Sequence, residues 1–594
     1  MNKRITTFII AAMASLTACQ NDSIYDFIDN ETDGNEQTFG TGDAASLGEL
    51  ATFDVATDTT ALDETDNVDA SDGDYIENNK FTRNVSITFN GTSASTSGSV
   101  SGVSVSCNGA DVVVRSTAKR VKYTVAGTTT NGSLKIYSEK KFAMQLSGAS
   151  ITNPTGPAIN IQTGKRCYLV VADGTTNTLA DGTAYAETDD GESAKATLFS
   201  EGELLFSGKG KLRVYANCKA GIRSDDYILF RPGNNIFVKA TAGNGIKAND
   251  GIYIRGGAIN VETSAPAAKG IASDAFINIT GGRTISTTTG NAEYDATDDD
   301  ASSAAALSAD STLSISGGQL LCKSTGTGGK GINAKQRLDI EGGTVRVVTT
   351  GSKYASGNIT TSPKGIKANG SITVSGGDIM VRASGGDGSV GMESKASISM
   401  TGGTMRHYSY DDALKADSTI TAKGGTAFAY STHGDGITAG TAFTMCGATV
   451  IACGATSPHC GIKCPSNALL ANGGTLLGIG GGTAVPSATA SLQPSAIIGH
   501  CSFDINSVVA MTSNEGKNLF AFVLPRRYTN CNVLFSSPEL AIGTTCRLLS
   551  GATISGGTPF CGFYTGATTS GGKEEASVEI TSKLNTVGFE GKTE

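Results

Sequence analysis

The chain has 594 residues, with 77 glycines, 12 prolines, no tryptophan and a formal net charge of −9. Such a length holds several ordinary domains or one long repetitive one, and abundant Gly, Ser, Thr, Val and Ile favour many short strands joined by tight turns. No segment beyond the N-terminal one is apolar enough to cross a bilayer.

In chain order, Lys3 and Arg4 precede the apolar run FIIAAMASL, which ends in LTAC at Cys19. The run is too short for a mature membrane helix and reads as a signal peptide over residues 1–18. Small residues before a cysteine resemble the bacterial lipobox. That resemblance implies a lipidated Cys19 as mature N-terminus, held at a membrane it never crosses. Residues 20–79 hold 17 Asp and Glu and no Lys or Arg, so residues 19–80 read as an extended acidic tether. From Lys80 onward 44 Lys and Arg face 38 Asp and Glu, a balance of +6. The acidity therefore belongs to the tether. The expected setting is the outer membrane or surface of a Gram-negative bacterium, with no nucleic acid as partner. QNDS after Cys19, followed by the acidic tether, resembles the surface-export signals of some outer-membrane lipoproteins.

Residues 81–214 carry strand-like runs with loose spacing, the first coils and their cap. Then a Gly-Ile step recurs at Gly221, Gly245, Gly270, Gly331, Gly365, Gly436 and Gly461, with Ala306-Leu307, Gly391-Met392 and Ala413-Leu414 as variants. Most intervals fall between 22 and 26 residues, and two are 34 and 36. A Gly-Gly pair follows most steps at a near-constant offset, as at 256–257 and 342–343. Within each unit apolar residues alternate, as in LDIEGGTVRV. A period in the low twenties without helical periodicity predicts a parallel β-helix over 81–495, with three short strands per coil. Ile stacks inside, and Gly-Gly supplies turns. The long intervals place insertions at 290–305 and 351–363. The step vanishes near 496, and residues 496–594 read as a β-rich cap or small domain that covers an otherwise open edge. The twelve cysteines after Cys19 read first as small buried hydrophobes, with disulfides next and zinc third.

Stacking turns sequence offsets into columns. Two residues after each step stand Arg223, Lys247, Ala272, Ser308, Asn333, Lys367, Glu393 and Lys415, and four after stand Asp225, Asn249, Asp274, Asp310, Lys335, Asn369, Lys395 and Asp417. Alternation points both columns away from the buried Ile, giving a polar stripe that is either a solvated face or a shelf for a polymer. The residue before the step changes from Lys269, Lys330 and Lys364 to Asp412 and Asp435. Around those aspartates lie MRHYSYDDALKAD and AFAYSTHGDGITA. Tyr408, Tyr410, Tyr430 and His433, with Lys364 and Lys367, are the candidate carbohydrate-binding residues, because aromatic faces stack on sugar rings. Asp411, Asp412 and Asp435 are candidate Ca²⁺ ligands, with Asp225, Asp226 and Asp250 a second acidic group.

The ordered series NGSLKIYSEKKFAMQLSGASITNPTGPAINI, CYLVVADGTTNTLADG, ATLFSEGELLFSGKGKLRVYAN and GIKANDGIYIRGGAINV resembles a bacterial carbohydrate-binding β-helix family. Its type member binds cellulose and pectic acid sugars, and it is similar to the family 9 polysaccharide lyases. The resemblance implies a right-handed β-helix, a non-catalytic glycan-binding role and bound Ca²⁺. A Ca²⁺-dependent lyase is the alternative, with Lys364, Lys367 or Lys415 as base. An adhesin or surface scaffold is the second. No serine or cysteine triad stands out.

Overall fold

The computed structural model describes residues 65–188 and 192–589; Cys19, the signal segment and the tether up to residue 64 lie outside these. The chain divides into two compact units, one ending at Thr426 and the other running on from Ala427. The described residues are all-β, with one 3₁₀ turn at Ile76–Asn78.

The larger unit begins with two antiparallel hairpins, Arg83–Asn90 with Ser93–Ser97 and Val103–Asn108 with Asp111–Ser116. After them the chain winds as the expected parallel β-helix. The first face carries the Gly-Ile steps: Ala220–Ser224, Ile246–Ala248, Lys269–Ser273, Ala305–Ala309, Lys330–Ala334, Lys364–Ala368, Val390–Ser394 and Leu414–Ala416. Each strand pairs in parallel with the next, and Ile222, Ile246, Ile271, Leu307, Ile332, Ile366, Met392 and Leu414 form one unbroken register. All are buried. Burying each such side chain contributes roughly 1.5–3 kcal/mol. The second face follows, as in Gly251–Ile254, and after the Gly-Gly pair comes the third, as in Ala258–Thr263.

The two glycine signals have different causes. The second glycine of the pair sits at positive φ, +81° at Gly343, where other residues are strained. The step glycine has no such backbone; it is a matter of space. A Cβ on Gly331 would stand 2.2 Å from Val347 Cγ1 and 2.6 Å from the Gly365 carbonyl oxygen. Gly221 meets Val238 and Gly365 meets Val381 in the same way. The β-branched third-face residue thus seats against first-face backbone, and the pair must be small and large. In this third-face column Val347 and Val381 are followed in register by His407. His407 is fully buried, and neither ring nitrogen has a hydrogen-bond partner. Burial holds it neutral, its pKa pushed down to about 3.

Both insertions are antiparallel hairpins, Glu293–Asp295 with Asp300–Ser302 and Tyr354–Ser356 with Ile359–Thr361. The acidic segment is not a tether throughout. Residues 65–79 pack on the second face, where Tyr75 is buried and Ile76 and Phe81 lie against Tyr168, Leu205 and Leu229. Apolar contact and arginine partners outweigh the self-repulsion that composition suggested. The described cysteines are free thiols, most of them buried; of the 446–464 group only Cys453 is buried, and Cys446 is exposed.

The second unit has parallel ladders of its own, Ile437–Ala439 with Ile462–Lys463 and Thr449–Cys453 with Thr475–Gly480. Tyr528–Ser536 then pairs antiparallel with Thr475–Gly480 and closes that edge. A six-stranded sheet built from residues between Val508 and Glu579 completes the unit.

Two substitutions test this packing. Gly331→Ala is expected to lower stability by about 1–3 kcal/mol through overpacking. Gly164→Ala, where the added methyl meets nothing, serves as the neutral control in the same denaturant titration. The unfolded chain protonates His407 below its ordinary value of 6.5, and the folded state resists to about 3. Wild type therefore loses stability as pH falls through that window. His407→Val should be less sensitive to this acidification than wild type, read from urea midpoints.

Candidate functional site

The first face presents the two polar columns in the expected register, Arg223, Lys247, Ala272, Ser308, Asn333, Lys367, Glu393 and Lys415 being successive neighbours. Their charges interlock along and across coils. Lys247 pairs with Asp274 at 3.0 Å, and Lys335 with Asp310 at 2.8 Å. Arg223 donates to Asn249 at 3.3 Å. The result is a strip of donors and acceptors repeating at the coil rise of about 4.8 Å.

The strip is densest between Lys364 and Asp417. Glu393 is almost fully buried between Lys364, at 3.4 Å, and Lys395, at 2.8 Å. Burial alone would raise its pKa, but Lys364, Lys395 and Lys367 outweigh it and hold the carboxyl at about 2. Lys395 also reaches Asp417 at 3.4 Å. Lys415 pairs with Asp412 at 3.2 Å; burial opposes its charge, yet Asp412, Asp411 and Glu393 raise its pKa. Lys364 is less basic than an ordinary lysine, because burial outweighs the favourable pull of Glu393. Its Nζ donates to the Gly388 carbonyl at 2.9 Å, and its side chain is 12% exposed.

Of the expected binding residues, Lys364, Lys367, Asp411 and Asp412 belong to this cluster, with Tyr410 half-buried beside Asp411. Glu393 and Lys395 were not singled out. Their signal was an acid in register between Lys367 and Lys415. Tyr408 is a correction: it has no exposed surface and offers no platform for a sugar. It lies on the third face, in register with Arg382 and Val348, in a column whose burial deepens from the exposed Tyr215. Alternation gave its outward direction but not what covers it. The lysines before the step are likewise not free: Lys269 donates to Ser302, and Lys330 to Gly328, Thr361 and Ser362, so both are tied to the insertion hairpins.

In the second unit Tyr430 is also fully buried, stacked 6.4 Å from Phe428. His433 is exposed and contacts Thr432 at 2.9 Å. Asp435 is buried; it accepts from the Cys460 amide at 2.6 Å and faces Lys463 at 3.6 Å.

Most of the expected calcium ligands are engaged by neighbouring groups. Asp225 is held by Lys195 at 2.5 Å and by Arg223 at 3.4 Å, and Asp412 and Asp435 face lysines. Asp226 accepts from the Tyr227 amide, and the Asp250 amide donates to the Asp226 carbonyl oxygen. Among the described residues no three His, Cys, Asp or Glu converge as a metal group.

A family model for carbohydrate-binding domain-containing proteins matches residues 108–282, 263–353, 324–412 and 356–436. A carbohydrate-binding domain-containing protein of Acetivibrio thermocellus is 33% identical over 104 residues, 17% of this chain and 36% of that one, so the alignment spans about a third of the relative. A solved polysaccharide lyase-like protein from C. thermocellum, 23% identical, covers 50% of this chain and 92% of its own; at a TM-score of 0.30 the likeness carries no weight. The family matches together run from residue 108 to 436, more than half of the sequence, and the chain belongs to the carbohydrate-binding domain-containing family.

Proposed function

We propose that this protein binds a polysaccharide without cleaving it, laid along the first face of the β-helix, and that it does so as an exported lipoprotein tethered through Cys19. The observation that carries the reading is coincidence: the family matches fall on the coils that expose the interlocked polar strip. A polymer of sugars offers hydroxyls at regular intervals, and a strip with one charged or amide group per coil meets them with charge-assisted hydrogen bonds. Lys367, Lys395 and Lys415 contribute donors, and Asn333 and Asn369 contribute amides of both kinds. Glu393 positions the lysines around it.

One observation favours a lyase as the second reading. Lys364 has a lowered pKa beside a carboxylate, as a base for proton abstraction needs. Its commitment to the Gly388 carbonyl and to Glu393 weighs against it, since a general base needs a lone pair aimed at substrate.

The test is affinity electrophoresis of the full chain in gels holding a soluble cellulose derivative or polygalacturonate. At least one glycan should retard the wild type, and retardation should survive EDTA. Lys367→Ala with Lys415→Ala should weaken it by about tenfold, the equivalent of 1.4 kcal/mol, at unchanged melting temperature. Tyr408→Ala should instead destabilise the fold, by about 3–5 kcal/mol. Retardation by no glycan favours the scaffold reading, and unsaturated products absorbing in the ultraviolet favour the lyase.

A further inference from the structure

The second face of the larger unit carries a feature the polar strip does not explain. Four consecutive coils bring Tyr168, Leu205, Leu229 and Tyr253 into one register. Arginines stand at both ends of the row's strands, Arg166 two residues before Tyr168, and Arg231 and Arg255 two residues after Leu229 and Tyr253. Arg231 and Arg255 occupy the same position on adjacent coils, about 4.8 Å apart along the axis. On later coils that position holds Thr280, Ser316, Glu341, Ser375 and Thr401. The arginines are thus local to these coils rather than part of the repeat.

Each arginine is met by a carboxylate of residues 65–79. Arg231 binds Asp66 through Nε at 2.9 Å and Nη2 at 2.5 Å, and Glu77 through Nη1 at 2.8 Å. Arg255 meets Asp72 at 3.1 Å and Arg166 meets Asp74 at 2.9 Å. Tyr227 donates to the same Asp74 carboxylate at 2.7 Å. The Tyr75 ring lies under both guanidinium groups, 4.4 Å from Arg231 and 5.5 Å from Arg255. Tyrosine faces flanked by forked guanidinium donors are what recognises a sugar ring bearing a carboxylate. Here the chain's own aspartates and glutamate supply the carboxylates, and Tyr75 supplies the ring.

We infer that this arginine–tyrosine shelf is a second carbohydrate site, selective for a carboxylate-bearing polysaccharide, and that residues 65–79 occupy it as an intramolecular competitor. The inference rests on the glycan-binding reading and assigns a different face and a narrower ligand class. The strap is held by ion pairs beside the apolar seat of Tyr75 and Ile76, and its carboxylates reach solvent; Glu77 is half exposed while its partner Arg231 is 4% exposed. A polyanion presents many carboxylates at once and displaces such a strap; a neutral glucan does not. Displacement would also lengthen the segment joining the β-helix to the residues before it.

Hydrogen exchange of residues 65–79 in the full chain tests this, beside retardation in the same two gels. Saturating polygalacturonate should speed exchange there, and a soluble cellulose derivative should leave it unchanged. The Asp66→Asn, Asp72→Asn, Asp74→Asn, Glu77→Gln variant should bind polygalacturonate about tenfold tighter than wild type, having lost its competitor. Adding Arg231→Ala and Arg255→Ala should abolish that gain. If neutralisation alone leaves the strap protected, Tyr75→Ala is added to free it. The inference is overturned if a freed strap brings no gain for polygalacturonate, or if the gain survives loss of both arginines. Retardation by the neutral derivative reports the first face alone, so the two sites fail separately.

Discussion

The repeating coils of the larger unit turn on one steric pairing: at Gly221, Gly245, Gly331 and Gly365 a glycine of the first face receives a branched side chain from the third. Gly331 with Val347 and Gly365 with Val381 bring backbone and methyl groups to distances no second Cβ permits. That contact fixes which residue of each coil faces inward. Inward Ile at the next position then stacks coil on coil, and the parallel ladders lock the register. The outward residues follow by alternation, so the polar strip of the first face is a by-product of how the interior closes. Where the pairing drifts, the interior changes with it. At Gly391 the partner is His407, a polar ring without hydrogen bonds in an apolar column.

The electrostatics of the strip show how a β-helix makes a dense charge array tolerable. Glu393 would be costly alone at its burial, and Lys364 likewise. Side by side, each has a partner, and Lys395, Asp417, Lys415 and Asp412 extend the pattern over neighbouring coils. The same rule governs the acidic segment. Its charge favours extension, whereas residues 65–79, set against Arg166, Arg231 and Arg255, are packed structure.

The architecture was legible because the repeat writes it in glycines. The spacing of Gly221, Gly245 and Gly270 gave the coil, the Gly-Gly pairs gave the turns, and offsets from the step gave columns that the strand register reproduces. The loss of the step near residue 496 marked the change to antiparallel pairing at Thr475–Gly480. What stayed hidden was coverage. Alternation says which way a side chain leaves its strand, and it is silent on what lies over it. Tyr408 and Tyr430 therefore looked like a sugar platform and are core. Lys269 and Lys330 looked like a shelf and are anchors for insertion hairpins. The pairing of Asp66 with Arg231 joins residues far apart in sequence, and no local pattern announces it.

The most direct test of the first face as the glycan site is lysine-reactive mass labelling of the full chain, with and without a glycan that retards it. Lys367, Lys395 and Lys415 should lose reactivity on binding, while Lys239, exposed on the third face, keeps its own. Protection of Lys239 with the three first-face lysines unchanged would contradict the account.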